Sequence, residues 1–375
     1  MIYLDYSANT PVDARVLEQF CAVERRCIGN ANSHHQAGSA AKAEIDAATI
    51  KIASLLGVQP AEIIYTSGAS EANNFALKGL ARLSRHTGRH IISTPLEHSS
   101  VSGTLTALQE QGYEIDLLDV KQDGTVDLEH LKDLLRPDTI CVAVTLVDSE
   151  LGVVQPVQEI AAILKAYPHC HLHVDATQAV GKIPVSFEDV DTMSLTAHKF
   201  YGLNGIGLLI KRRNLALEPL IHGGESTTIY RSGTPTVALA SSLACALDFA
   251  VTDLPGRVDH VAKLNAELRA ALSTYPLVRI NSPDHAIPHV LNLSVRNVKG
   301  TVFQRELDAK GVCVSVKSAC SSDGLPSRAV FAVSRDRRNA LSSWRISLSH
   351  LTTEDEIKAF LQAFDVCYRE LTAVH

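Results

Sequence analysis

The sequence predicts an α/β fold: a large unit built on a mostly parallel sheet covered by helices, followed by a smaller α+β unit. Three observations carry this expectation. From about Ile63 onward, seven short, mostly apolar runs alternate with helical patterns or follow one another through shorter connections, as in βαβ units of a mostly parallel sheet covered by helices. After about residue 237 the order changes to two long helices and then a strand–helix–strand–strand–helix set. The 375 residues exceed one ordinary domain, and 46% hydrophobic with 20% charged content excludes a disordered chain.

The elements follow in order. Ile45, Ala48, Ile52 and Leu55 fall on one helical stripe, which predicts a helix over 36–56. Strand–helix pairs then run EIIYTSG with SEANNFALKGLARL, HIISTP with EHSSVSGTLTALQ, EIDLLDV with DLEHLKDLLR, and TICVAVTLV with QPVQEIAAILKAY. HLHVDA, TMSLTA and GIGLLIK follow with shorter connections. VALASSLACALDFAV and VDHVAKLNAELRAALSTY predict two helices with Pro255-Gly256 between them. HVLNLSV, a helix from Thr301 to Lys310, VCVSV, SSWRISLS and a helix from Glu354 close the chain.

Charge removes other classes. Lys+Arg 35 against Asp+Glu 41 gives a net charge of -6, the wrong sign for a protein that grips a nucleic-acid backbone. No apolar run approaches the roughly 20 residues of a membrane span, and MIYLDYSANTP has no basic stretch ahead of an apolar one. The expectation is a soluble, cytoplasmic protein without membrane or direct nucleic-acid partners. Eight scattered cysteines without a CxxC pair read as reduced thiols, most of them small core hydrophobes.

Three segments could carry chemistry. In Thr66-Ser67-Gly68-Ala69-Ser70-Glu71 a strand ends in a small-residue turn that opens a helix, where free backbone N–H groups and the helix dipole favour phosphate. The alternative is that Ser70 is a plain N-cap. In His173-Val174-Asp175-Ala176-Thr177-Gln178 a carboxylate ends an apolar strand, and burial there demands a positive charge or a donor. A protonated pyridine nitrogen would serve; a local cap is the plainer role. In Ala197-His198-Lys199 a lysine between apolar strands would be desolvated and nucleophilic, unless it is a surface turn residue. A phosphate cradle, a buried Asp and a later Lys together match what pyridoxal phosphate requires for its phosphate, ring nitrogen and aldehyde.

Motifs along almost the whole chain resemble the cysteine desulfurases, a group of fold-type-I pyridoxal-phosphate enzymes. They are YLDYSANTP, TSGASEANN, EHSS, GVVQ, HVDATQAVGK, AHKFYG, HGG, RSGT and SACSS. The resemblance implies a large cofactor-binding domain at 13–250 and a small α+β domain made of 1–12 and 251–375 that carries the catalytic Cys loop. It implies that Lys199 condenses with the cofactor, Asp175 holds the ring nitrogen, Gln178 the phenolic oxygen, and His98 stacks on the ring and helps proton transfer. Ala69 (through its backbone), Ser70, Thr196 and His198 would bind the phosphate, joined by Thr234 from the other subunit of a homodimer. Arg345 would grip the substrate carboxylate, helped by Ser149. Cys320 would be the nucleophile that takes sulfur from L-cysteine as a persulfide, leaves L-alanine, and passes the sulfur to an acceptor protein such as an iron–sulfur scaffold or a sulfurtransferase. Its small, polar neighbours fit a mobile loop, and Lys317 would favour the thiolate.

Several positions depart from the family pattern. Asp148-Ser149-Glu150 stands for Asn-Asn-Glu, so a direct carboxylate contact is shortened to serine. Lys317 replaces a glycine and would be strained if its φ were positive. Glu225 replaces a third glycine after His222-Gly223-Gly224, and Ser349-His350 replace Gly-Arg. These changes motivate two rival readings beside a desulfurase: a selenocysteine lyase or related C–S lyase, and a catalytically weakened sulfur-relay or scaffold protein. An aminotransferase would not need Cys320. His169, Cys170, His171 and His173 look like a metal cluster, but no second element supplies converging ligands, and no metal is expected. Arg335-Asp336-Arg337-Arg338 reads as a solvated loop before it reads as an acidic-partner site.

Overall fold

Strands without a polar face need cover on both sides, and this chain supplies it by alternating them with helices. The computed structural model describes residues 1–224, 226–317 and 324–373. It opens with β1 (Ile2–Tyr3), α1 (Ala14–Arg26) and α2 (Gln36–Leu56). The alternation follows as β2 (Ile63–Thr66), α3 (Ala69–Leu83), β3 (His90–Ser93), α4 (Ser99–Gln109), β4 (Glu114–Leu117) and α5 (Leu128–Leu134). Next come β5 (Thr139–Thr145), α6 (Val157–Leu164), β6 (His171–Asp175), β7 (Thr192–Thr196) and β8 (Gly207–Lys211). The remainder is α7 (Val237–Thr252), α8 (Leu254–Leu272), β9 (Val278–Ile280), β10 (Val290–Val295), α9 (Gly300–Ala309) and β11 (Val312–Cys313). It ends with α10 (Arg328–Ser334), α11 (Arg337–Ser342), β12 (Ser343–Ser347) and α12 (Glu354–Thr372).

Among the described residues the large sheet has seven strands in the order β2-β8-β7-β6-β5-β3-β4. Its central and far strands pair in parallel, and β8 alone runs against its neighbours. This is the mostly parallel α/β sheet that the apolar runs predict. Strands β2, β5, β6 and β7 end on one edge, at Thr66, Thr145, Asp175 and Thr196. That edge is where ligands bind in open α/β sheets.

A second apolar cluster gathers Leu4, Phe303, Trp344, Phe360 and Phe364, with Phe303 stacked on Trp344 at 5.2 Å between ring centroids. The N-terminus belongs to it through β1, which pairs in parallel with β11. A three-stranded sheet, β12-β10-β9, supports the same cluster. Residues after Leu4 then run from this cluster to the edge of the large sheet.

Three details correct the sequence expectation. Pro255 and Gly256 do not separate the two long helices; the break is at Asp253, and Pro255 sits in the first turn of α8, where its missing N–H leaves no bond unmade. The helix expected over Thr301–Lys310 is shifted by one residue. The small unit also contains β9, α10 and α11, three to seven residues each and too short to show periodicity. Among the described residues no single helix is long and apolar enough to cross a membrane; α7 and α8 pass such a test only together, across a 65° bend. Helix α7 buries Val237, Ala240, Leu243 and Leu247 in the protein interior.

Close backbone approach at the sheet edge generates a stability prediction. A Cβ on Gly207 would lie 2.6 Å from Leu195 O and 2.7 Å from Gly68 Cα, neither of which can swing away. We expect Gly207→Ala to cost about 1–3 kcal/mol, read as a lower urea midpoint. Gly103, inside α4 with nothing within 4 Å of a built Cβ, is the control, and its change to Ala should stabilise by about 0.5–1 kcal/mol.

Candidate active site

The anion-binding end is built first. Strand β2 runs into Ser67 and Gly68, and α3 starts at Ala69 with Gly68 as N-cap at φ 155 and no side-chain cap bond. The first-turn N–H groups and the positive end of a 15-residue helix therefore remain available beside the sheet edge. Ser70 is the second helical residue, so the plain N-cap alternative does not hold. Thr196 ends β7 beside this turn, with Oγ1 3.1 Å from His198 Nδ1.

Asp175 ends β6 and is 3% exposed. Its Oδ2 accepts from Asn73 Nδ2 at 2.8 Å and its Oδ1 from Thr177 N at 2.9 Å. It thus caps its own turn as well as facing the cavity. Asn73 gives its other amide hydrogen to Ser100 Oγ at 2.9 Å. Its Oδ1 meets His173 Nε2 at 3.0 Å and accepts from Ser194 Oγ at 2.5 Å. Burial holds His173 well below its usual pKa, so the imidazole is a neutral member of this network, bonded at Nδ1 to Thr192 Oγ1 at 2.9 Å. His173 is therefore tied into the network around Asp175 and not into a cluster with His169 and His171.

Lys199 lies in the single helical turn after β7. Its Nζ donates to Ser7 O at 2.7 Å and Ala8 O at 2.6 Å. Gln178 Nε2 donates to the same Ser7 carbonyl at 2.9 Å, while its Oε1 accepts from Lys182 Nζ at 2.7 Å. Burial, with help from Lys199 and Arg345, pushes Lys182 down to about 7. His98 caps α4, its Nδ1 accepting from Ser100 N at 3.2 Å, which assigns the proton of the neutral ring to Nε2. Burial lowers its pKa and favours that neutral form. Burial and Lys199 likewise bring His198 down to about 4.

At the other end, Arg345 of β12 is 1% exposed and donates from Nη1 to Ser149 O at 2.7 Å and from Nη2 to Asp5 Oδ1 at 2.9 Å. Ser149 thus contributes a backbone carbonyl to Arg345. Two buried acids stand near this end, Asp148 close enough to feel the Arg345 charge: burial raises Glu97 to about 8 and Asp148 to about 7. Glu97 accepts from Thr94 Oγ1 and Thr145 N, both at 2.8 Å. Asp148 accepts from Leu151 N, and Glu150 accepts from Ser327 Oγ at 2.5 Å.

One cavity of 320 Å³ joins these parts: Ala69, Ser70, His98, Ser149, Asp175, Gln178, Thr196, His198, Lys199 and Arg345 all line it. Ser7, Thr177 and Arg345 line it too, and Ser7 Oγ, Thr177 Oγ1 and Arg345 Nε are buried with no hydrogen-bond partner among the described residues. Thr234 is not brought to it; it lines a separate pocket of 190 Å³ with Thr66, Ser67 and Arg231. Cys320 and Glu225 lie outside the described residues. Lys317 is not among the described non-glycine residues with positive φ, which are Asp189, Tyr201, Asn297 and Arg335, so the strain considered for it does not arise. Ser349 bonds Tyr201, Oγ to OH at 2.5 Å, and His350 packs edge-on against the same ring.

Sequence reasoning missed Asn73, Glu97, Lys182 and Asp5, and the carbonyls of Ser7 and Ala8. The side chains among them sit inside motifs already quoted, but the contacts that give Asn73, Glu97 and Asp5 a role join residues far apart in the sequence.

Residues 2–360 match the family described as Aminotransferase class-V. The chain belongs to that family. It is 40% identical over 365 residues to the cysteine desulfurase IscS of Proteus mirabilis, covering 95% of this chain and 90% of that one. Among solved structures it is similar to a NifS-like protein at TM-score 0.92 and 36% identity, covering 97% of this chain and 98% of that one. It is also similar to SspA, solved in complex with cysteine, at TM-score 0.83 and 31% identity over 94% of this chain and 100% of that one.

Glu97 makes stability depend on pH. A carboxyl whose folded pKa of about 8 lies above its unfolded value binds more protons folded than unfolded between those two values. Stability is therefore lost as pH rises from about 4.5 to 8. Glu97→Gln keeps a neutral group there, so its melting temperature should gain on the wild type's between pH 5 and pH 9; a constant difference would contradict this.

Proposed function

We propose that this chain is a pyridoxal-phosphate-dependent cysteine desulfurase. The observation that carries the reading is the convergence on one cavity of Lys199, Asp175, His98 and Arg345 with the uncapped start of α3. The residues fit the cofactor: a helix N-terminus suits its phosphate, a buried carboxylate its ring nitrogen, and the unpartnered Ser7 and Thr177 hydroxyls add donors in the same space. When bound, pyridoxal phosphate supplies an aldehyde for the substrate amine and an electron-withdrawing ring that makes the Cα–H of cysteine acidic.

The chain's own residues supply the rest. The Ala69 backbone, Ser70, Thr196 and His198 would hold the phosphate. Gln178, with its amide fixed by Lys182, would use Nε2 to hold the phenolic oxygen. Arg345 holds the substrate carboxylate in a cavity that restricts water. Lys199 Nζ would take the proton from Cα, and His98, neutral with hydrogen on Nε2, would stack on the ring and assist proton movement. The Cys320 thiolate attacks the substrate sulfur; an S–S bond forms as the Cβ–S bond breaks, and the carbon skeleton leaves as L-alanine.

The finer features of the proposal are a homodimer in which Thr234 reaches the partner's phosphate site, a sulfur-acceptor protein, and work in the cytoplasm. The location of Thr234 outside its own cavity supports the first. A large domain at 13–250 and a small one made of 1–12 and 251–375 belong to the same reading, supported by the separate apolar cluster that includes Leu4 and Trp344.

The test is turnover of cysteine by the purified protein. We expect equimolar alanine and a persulfide on Cys320, and a Cys320→Ser variant that keeps its visible absorbance but loses alanine formation by about 100-fold or more. Keto-acid-dependent amino transfer that survives Cys320→Ser would contradict the proposal.

A further inference from the structure

The N-terminal segment brings one side chain to the site that the reaction above does not use. Asp5 is a bracket with two occupied arms. Oδ1 accepts from Arg345 Nη2 at 2.9 Å, and Oδ2 accepts from Ser315 Oγ at 2.7 Å. The residues at the two ends of the bracket are also joined through the backbone: Arg345 N donates to Ser315 O at 2.6 Å, and Ser315 N to Arg345 O at 3.2 Å. Asp5 is itself fixed, bridging Ser347 through its backbone and accepting from Tyr3 OH at 3.2 Å.

We propose that Asp5 is a positioning residue that sets the substrate-carboxylate arginine and the root of the Cys320 segment against each other. This rests on the desulfurase reading. Cys320 follows Ser315 by five positions in the chain. Arg345 fixes the substrate by its carboxylate. With Nη1 held by Ser149 O, the guanidinium has little freedom to turn. A single carboxylate thus ties the substrate-carboxylate arginine to Ser315, and a displacement of about 1 Å of a positioned group costs about 100-fold in rate.

The test uses the purified holoenzyme, with two readouts: cysteine affinity from titration of the visible absorbance, and the single-turnover rate of persulfide appearance on Cys320 by mass spectrometry. Ser315→Ala removes one arm and leaves the ion pair. It should bind cysteine within about twofold of the wild type yet form persulfide about tenfold more slowly, and Ser315→Thr, which keeps the hydroxyl, should recover most of the rate. Asp5→Asn removes the charge and should also weaken cysteine binding about tenfold. A wild-type persulfide rate in Ser315→Ala, or wild-type cysteine affinity in Asp5→Asn, overturns the proposal. So does an equal loss of affinity and rate in Ser315→Ala, which would mark general loosening. If the wild type binds cysteine and makes no persulfide, the desulfurase reading falls, and the Asp5→Asn titration alone decides the role of Asp5.

Discussion

A carboxylate buried at the end of a parallel strand is costly unless donors surround it, and the site is organised around meeting that demand at Asp175. Asn73 answers it from α3, Thr177 N from the following turn. To hold Asn73 in the right orientation, its carbonyl oxygen is occupied from β6 by His173 and from β7 by Ser194. A helix and two strands are thereby locked in register at the edge where the cavity opens. The same α3 starts at Ala69, just after Gly68, so the acid and the helix end to which the proposed function assigns the ring nitrogen and the phosphate are rigidly linked.

The opposite wall depends on the first ten residues. They are anchored in the small apolar cluster by Leu4 and then cross to the large sheet. Ser7 and Ala8 offer bare carbonyls to Lys199, and Ser7 also receives Gln178. Backbone carbonyls hold an amine without adding a second titrating group, which leaves its chemistry to its surroundings. Asp5, two residues earlier, reaches Arg345. One extended segment therefore orients groups from both sheets, and the two apolar clusters act on the cavity through it.

Much of this was legible in the residues. The mostly apolar runs gave the parallel sheet because strands buried on both faces have no polar alternation, and HVDA and AHK marked strand ends because charge there interrupts an apolar run. What stayed hidden had no local signature. Asn73 pairs with Asp175 across 102 positions, Asp5 with Arg345 across 340, and carbonyl acceptors are the same for every residue type. The helix start after Asp253 was missed because Pro-Gly reads as a turn although proline is tolerated in a first helical turn. Ser149 looked like a loss of contact, yet its backbone oxygen receives Arg345.

The account stands on which amine condenses with the cofactor. Lys199 and the buried Lys182 both stand near Gln178 and Ser7, and Lys182 is the one brought down to about 7, so the choice is a real one. Borohydride reduction of the purified holoenzyme, followed by peptide mass spectrometry, reads it directly. The account predicts a reduced pyridoxyl-phosphate adduct on the peptide carrying Lys199 alone. An adduct on Lys182, or none, would contradict it.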